Sequence, residues 1–331
     1  MKWFDKLRAF TAALLVLAAG AAAGEMDFTQ GDWACALRYN DTVDSGDAVF
    51  VRLAVTRQGT LSLSAASTIA RLSLGSDAGV DFYPVPSGKG TSPGAAYTDF
   101  LAGLPVSTRQ KAGDLTLTVT ILLPGADKKN LTLPVTVRAK EFLSFTLKLD
   151  QANTDRMTDN SPARIAQSDR LNRAVSATNP RGVYQQSPFA LPTGITRITD
   201  RFGTRRVYQY ADGKTNTSVH WGTDYGAPKG TPVRSCAAGR VVLAEMRNQT
   251  GWSVIVEHLP GLYSLYYHLD SLAVEEGMTV RQSGLLGYSG ATGIATGPHL
   301  HWEMRLNTQA VNPAFFCGNF AHLEPKNTNQ E

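Results

Sequence analysis

The sequence predicts a mainly β chain: an N-terminal β-sandwich domain, a helical linker and a strand-rich C-terminal domain that carries the chemistry. Three observations predict it. Short runs alternate apolar and polar residues from about residue 30 to 150, a single strong helix start stands at Ser161-Pro162, and glycine recurs at turn spacing from Ile195 onward.

In chain order, Lys2, Lys6 and Arg8 precede an apolar run from Ala9 to Ala23, which ends in three alanines before Gly24. A charged start, an apolar stretch and small residues at its end are the marks of a secretory signal peptide, placed at 1–23. The run is short for a membrane span of about 20 residues, so a retained anchor is the alternative. Residues 26–150 contain Val49–Val55, Leu115–Ile121, Leu131–Val137 and Phe142–Leu147, each with the period of two that half-buries a strand. Turn-rich pieces such as Pro84–Gly94 and Pro124–Asn130 separate them, as a sandwich requires. Pro134 removes a ladder donor and assigns its strand to an edge. Over 151–192, Ser161 caps and Pro162 opens a helix running through Ala163–Ala177, followed by a proline-punctuated extended stretch. Residues 193–320 form the second domain, in which frequent glycine implies tight turns between strands, and 321–331 form a tail.

Composition narrows the function. With 331 residues and 43% hydrophobic content the chain can bury two cores. The formal net charge of +4 falls to about +2 without the leader, and no basic run or interleaved aromatic stripe suggests a nucleic-acid partner. Beyond the leader no segment is apolar enough to span a bilayer, so the mature chain has no transmembrane segment. Three cysteines, Cys35, Cys236 and Cys317, lack the CxxC spacing of a cysteine metal site. Export permits a disulfide, and Cys236 with Cys317 is the expected pair because both lie in the second domain.

Four of the six histidines and one aspartate fall in three short motifs: His220-Trp-Gly-Thr-Asp224, Tyr266-Tyr-His268-Leu269 and His299-Leu-His301. On a strand, His299 and His301 project to one face while Leu300 faces the other. Imidazole is the commonest metal ligand, and zinc accepts nitrogen and oxygen donors together. His220, Asp224 and His301 supply three ligands and leave a fourth position for water, the pattern of a catalytic rather than a structural zinc site. Two neutral imidazoles and one carboxylate keep the site near +1, which acidifies bound water and polarises a carbonyl. His268 and His299 are then free to move a proton and stabilise an oxyanion. His258 and His322 read as structural or surface residues. The run Gly284–Gly293 lacks GxGxxG and a P-loop lysine, and has Ala291 where a serine elbow needs glycine, so it reads as turns that deliver His299 and His301.

At these residues the chain resembles the lysostaphin/LytM-type zinc endopeptidases of bacterial peptidoglycan. The resemblance covers about Ile195–Phe316 and includes Ile198–Gly203, His220–Asp224, Gly230–Val233, Ala238–Val241, Tyr266–Leu269 and Thr296–His301. It implies a compact antiparallel β domain with a groove, one Zn2+ per chain on His220, Asp224 and His301, and catalytic roles for His268 and His299. Residues 30–150 more weakly resemble the Ig-like module of exported members, on strand pattern and fragments such as Phe82–Val85.

The expected function is an exported zinc metalloendopeptidase, periplasmic or extracellular, that hydrolyses peptide cross-links of peptidoglycan, its stem peptides being the partner. Self-inhibition by the N-terminal domain is a further expectation. The alternatives are a non-enzymatic wall-binding or amidase-activator protein on the same scaffold, which the complete ligand set disfavours, and an exported protease acting on proteins.

Overall fold

The computed structural model describes residues 23–57, 69–75, 79–86, 99–318 and 320. The leader, save Ala23, and the tail with His322 lie outside these residues.

The N-terminal strands are β1 (Ala23–Gln30), β2 (Trp33–Asn40), β3 (Thr42–Asp44), β4 (Ala48–Arg57), β5 (Ala70–Leu74), β6 (Val80–Asp81), β7 (Tyr83–Val85), β8 (Asp99–Pro105), β9 (Gly113–Ile121) and β10 (Lys129–Arg138). They form two sheets, ordered β1-β2-β4-β8-β7 and β3-β10-β9-β5-β6. Alternate residues of both, among them Leu37, Val51, Leu53, Leu72, Leu117, Val119, Leu133 and Val135, close on one dry core, so the period of two is the period of burial. Pro134 sits where β10 is bare on one side, because the parallel partner β3 reaches only Thr136–Arg138. Pro84, expected in a turn, instead lies within β7, an outermost strand whose ladder pairs only with β8.

The rest of the chain comprises β11 (Ser144–Lys148), α1 (Gln151–Thr158), α2 (Pro162–Ser176), β12 (Ile198–Asp200), β13 (Arg205–Gln209), β14 (Thr215–Val219), β15 (Gly222–Tyr225), β16 (Pro232–Arg234), β17 (Gly239–Arg247), β18 (Gly251–Leu259), β19 (Leu262–Leu272), β20 (Thr279–Val280), β21 (Leu285–Ser289), β22 (Leu300–Leu306), β23 (Gln309–Val311) and α3 (Pro313–Gly318). A ten-stranded sheet has the main path β12-β15-β22-β19-β18-β17-β20. Its two faces differ in use. Leu300, Trp302, Met304 and Leu306 of β22 join a core with Phe315 and Phe316 of α3, and Phe50 from the sandwich enters the same core. The opposite face carries Leu243, Ile255, Tyr263, Leu265 and Tyr267, over which Leu171 and Val175 of α2 pack.

One boundary expected from the sequence is corrected. The run around Phe142–Leu147 does alternate, but its strand β11 leaves the sandwich and pairs in parallel with β13, giving a three-stranded sheet β11-β13-β14. The helix starts where expected, with Ser161 Oγ accepting from the Arg164 amide at 3.2 Å. It is not a free linker, however, because its apolar side is buried on the large sheet. A fragment starting at Glu141 is therefore expected to melt cooperatively and one starting at Ala190 is not. Burial of Leu171 and Val175 is worth about 1.5–3 kcal/mol each, a large part of a total of about 5–15 kcal/mol. Thermal melts by circular dichroism check this, and equal midpoints for the two fragments would refute it.

The expected Cys236–Cys317 disulfide is not formed, and all three thiols are free. The Cys236 sulfur turns to a buried cluster, 3.7 Å from His258 Nε2, and burial raises its pKa to about 12. Cys35 belongs to the sandwich core.

Candidate metal centre

Strand pairing brings the motif residues together. β15 and β22 are antiparallel with Asp224 opposite His301, and β19 places Tyr267 opposite His301 on its other side. His220 and Asp224 are four apart in extended chain and share a face with Gly222 between them. The His301 ring occupies the space that glycine leaves: a Cβ on Gly222 would lie 2.6 Å from its Nε2. The glycine of the HxGxD segment is thus needed for close approach, not for an unusual backbone angle.

Three donor atoms converge. His220 Nε2 is 2.9 Å from His301 Nδ1 and 3.1 Å from Asp224 Oδ1, and His301 Nδ1 is 2.8 Å from the same oxygen. All three residues are buried. Among the described residues they form the one group of histidine, cysteine or acidic side chains with the proximity a metal ion needs.

The outward atoms of each ligand are also engaged. His220 Nδ1 donates to the Arg201 carbonyl at 3.0 Å, which leaves Nε2 with a lone pair facing the centre. His301 Nε2 faces Glu303 Oε2 at 3.5 Å, and Arg305 donates to the other Glu303 oxygen at 2.6 Å. Asp224 Oδ2 accepts from Arg206 at 2.6 Å, and the same guanidinium holds Asp200. Such outer partners fix ring orientation and tautomer in metal sites. Two nitrogens and one oxygen with lone pairs turned inward suit a borderline divalent ion such as zinc.

The electrostatics agree. Burial alone would raise Asp224, but the His220 and His301 imidazoles outweigh it and hold the carboxyl well below its ordinary range. Burial lowers His220. His301 is lowered by burial yet raised further by hydrogen bonds to Asp224 and then Glu303, to about 9. Protons and a divalent cation compete for the same inward lone pairs, so metal binding at such a cluster depends on pH.

His268 and His299 stand beside this triangle with ring centroids 4.6 Å apart. His299 Nε2 is 4.0 Å from Asp224 Oδ1, further out than the His301 contact. His268 Nδ1 donates to the Thr292 carbonyl and His299 Nδ1 to the Gly297 carbonyl, both at 2.8 Å, so each presents Nε2 as an acceptor. Burial, then the charges of His299 and His301, lowers His268 to about 3. Its φ of 61° is in the left-handed region, strained for a residue with a Cβ. The run Gly284–Gly293, expected to deliver His299 and His301, contacts His299 and His268 instead, since Gly290 bridges to His299 and Thr292 holds His268, while His301 is placed by the β15 and β19 ladders. His258 lies elsewhere, fully buried, donating to the Ala238 carbonyl at 2.8 Å and lowered by burial to about 4.

The centre floors a groove with two compartments of about 490 and 430 Å³. His268, His301, Arg206, Tyr208 and Ile294 border both. Phe145 and Leu147 of β11 wall the first, and Leu171 and Asn172 of α2 wall the second. Sequence reasoning missed Arg206 and Glu303. Alternation along His299, His301, Glu303 and Arg305 would have found Glu303, whereas Arg206 arrives from a separate hairpin with no local signal.

Residues 218–313 match the model of Peptidase family M23. The chain is 40% identical over 122 residues to the DD-carboxypeptidase/endopeptidase Mpg of Neisseria meningitidis, covering 37% of this chain and 27% of that protein. It is 34% identical over 116 residues to the peptidoglycan DD-endopeptidase ShyA of Vibrio cholerae, covering 35% and 26%. The matched stretch thus spans about a quarter of these relatives. A crystal structure of a candidate peptidase M23 from Pseudomonas aeruginosa superposes with a TM-score of 0.53 at 23% identity, over 77% of this chain and 89% of that one. At that identity the likeness speaks for the fold, and it extends beyond the matched domain.

Proposed function

We propose that this chain, whose residues 218–313 form a peptidase M23 domain, is an exported zinc metalloendopeptidase that hydrolyses peptide cross-links of bacterial peptidoglycan. The observation that carries the reading is the convergence of His220 Nε2, Asp224 Oδ1 and His301 Nδ1 within 2.8–3.1 Å of one another, beside two further imidazoles with free Nε2 atoms.

His220, Asp224 and His301 would hold the ion, and Zn2+ bound there supplies a Lewis acid that polarises an amide carbonyl and acidifies water. Arg206 and Glu303 keep Asp224 and His301 aimed inward. Of the two outer histidines, one takes up a proton at Nε2 and, once protonated, donates from the same atom to an oxyanion or to the leaving amine; His268, which burial keeps neutral, serves first as an Nε2 acceptor that orients the attacking water. The long open groove favours an extended peptide over a compact ligand. Relatives named as peptidoglycan DD-endopeptidases support murein as the substrate. The basic, apolar N-terminal stretch supports export. Among the described residues no helix is long and apolar enough to cross a membrane.

Within this reading, the segment following the sandwich joins the N-terminal domain as a candidate restraint on the groove. The Ala211 amide donates to Thr154 Oγ1 at 3.0 Å, and Gln249 Nε2 to the Arg156 carbonyl at 3.4 Å, so α1 ties the β13–β14 hairpin to the loop after β17.

Digestion of purified sacculi tests the function. The zinc-loaded chain should convert cross-linked muropeptides to monomers, read by mass spectrometry. An unchanged degree of cross-linking would favour the non-enzymatic alternative.

A further inference from the structure

We propose that the groove continues past the metal centre into a sugar-binding subsite, in which Trp221 is the platform for one pyranose ring of the murein glycan strand. This rests on the peptidase reading above and deepens it.

Trp221 stands between the ligand residue His220 and Gly222, where the chain passes from β14 into β15. It is 39% exposed, whereas Trp33 and Trp302 are buried. Among the described residues its ring packs on no other ring and under no cation, and its indole N–H has no hydrogen-bond partner. Both the apolar face and the polar handle of the side chain are therefore uncommitted.

A pocket of about 240 Å³ opens beside it, and Trp221 and Arg305 border both this pocket and the α2 compartment of the groove. The remaining wall comes from two domains, with Ser107 and Thr108 on a loop of the sandwich and Gln309 at the β22–β23 turn. The domains are fastened on either side of it. Arg205 of β13 donates to the Thr108 carbonyl at 3.1 Å, and Asn307 Nδ2 to the Gly103 carbonyl at 2.8 Å. Among the described residues the Gln309 carboxamide is without a partner, and Arg305 is matched by Glu303 at 2.6 Å.

The lining is thus one bare aromatic face beside hydroxyls and a carboxamide, with its guanidinium already neutralised. That chemistry suits a neutral, hydroxylated ring. A pyranose can lay its weakly positive C–H bonds on the negative face of the indole while its hydroxyl and acetamido groups meet donors and acceptors at the rim. The spacing fits as well. On β22, Arg305 lies four residues beyond His301, about 13 Å along an extended strand. An extended stem peptide of about four residues, the part of murein between a cross-link and its sugar, covers the same length. A scissile amide at the metal centre and its sugar at Trp221 can therefore be held together.

The test uses the zinc-loaded full chain and two cross-linked substrates: a muropeptide dimer with its disaccharides, and the same dimer with the disaccharides removed and the freed amines acetylated. The sugar-bearing dimer should be cleaved with kcat/KM about tenfold above the other. Trp221→Ala should bring this ratio near one and Trp221→Phe should keep most of it, while Gln309→Ala, set apart from the metal ligands, should lower it severalfold. Because both substrates meet the same metal centre, any disturbance of His220 cancels in the ratio. Equal rates in the native chain, or an unmoved ratio in Trp221→Ala or Gln309→Ala, overturns the sugar subsite and leaves the peptidase reading standing. Cleavage of neither dimer overturns both. Calorimetry gives a measure that needs no substitution: peptide-free glycan strands should bind the zinc-loaded native chain saturably, and absence of binding refutes the proposal.

Discussion

Replacing Asp224 or His301 by alanine is expected to abolish both metal retention and hydrolysis. Each supplies one of only three inward donor atoms, so its loss removes a ligand and also unbalances the other two. Asp224 bears more than a single contact: its Oδ1 meets both imidazoles and its Oδ2 anchors Arg206. Changes to outer partners of metal ligands cost about 10–100-fold in affinity, and loss of a ligand should exceed that. Asp224→Asn retains the shape but not the charge, and should weaken metal binding less than Asp224→Ala while still depressing activity. Metal analysis after gel filtration, run beside the sacculus assay, reads both effects. Full zinc content after each single substitution would remove His220, Asp224 and His301 as the ligand set.

His268→Ala and His299→Ala should behave in the opposite way, keeping the metal while losing turnover by about 10²–10⁴-fold, the scale of general acid–base catalysis. Their rings are oriented by backbone carbonyls at Thr292 and Gly297, outside the ligand triangle, so their removal leaves the three donors in place. The assignment within the HxH pair depends on distance, 2.8 Å from Asp224 Oδ1 for His301 against 4.0 Å for His299. If His299→Ala lost zinc and His301→Ala retained it, the two roles would have to be exchanged.

Much of this was legible in the sequence because strands report their own burial. Alternation located β4, β9 and β10, the Ser161-Pro162 pair located the start of α2, and the spacing of His299 and His301 put both on one face. His220, Asp224, His268, His299 and His301 could be read as one cluster because so few histidines occur outside those motifs, and the tertiary structure does bring all five together. The need for glycine at 222 also belongs to the motif, although its cause, the Trp302 carbonyl and the His301 ring, lies about eighty residues away.

What only the tertiary structure decided is which surface each element packs against. Periodicity tells that β11 has a buried side but not that its ladder partner is β13, some sixty residues on. A capped helix looks the same in sequence whether it is a free linker or, as Leu171 and Val175 make α2, one wall of the groove. Arg206 reaches Asp224 from the β13–β14 hairpin, and Arg170 of α2 reaches Glu245 of β17 across the helix–sheet contact. These are long-range pairings. Local sequence sets the face and the period, while the partner across the gap is chosen by the collective burial of two sheets and a helix, a choice that no short stretch of this chain encodes.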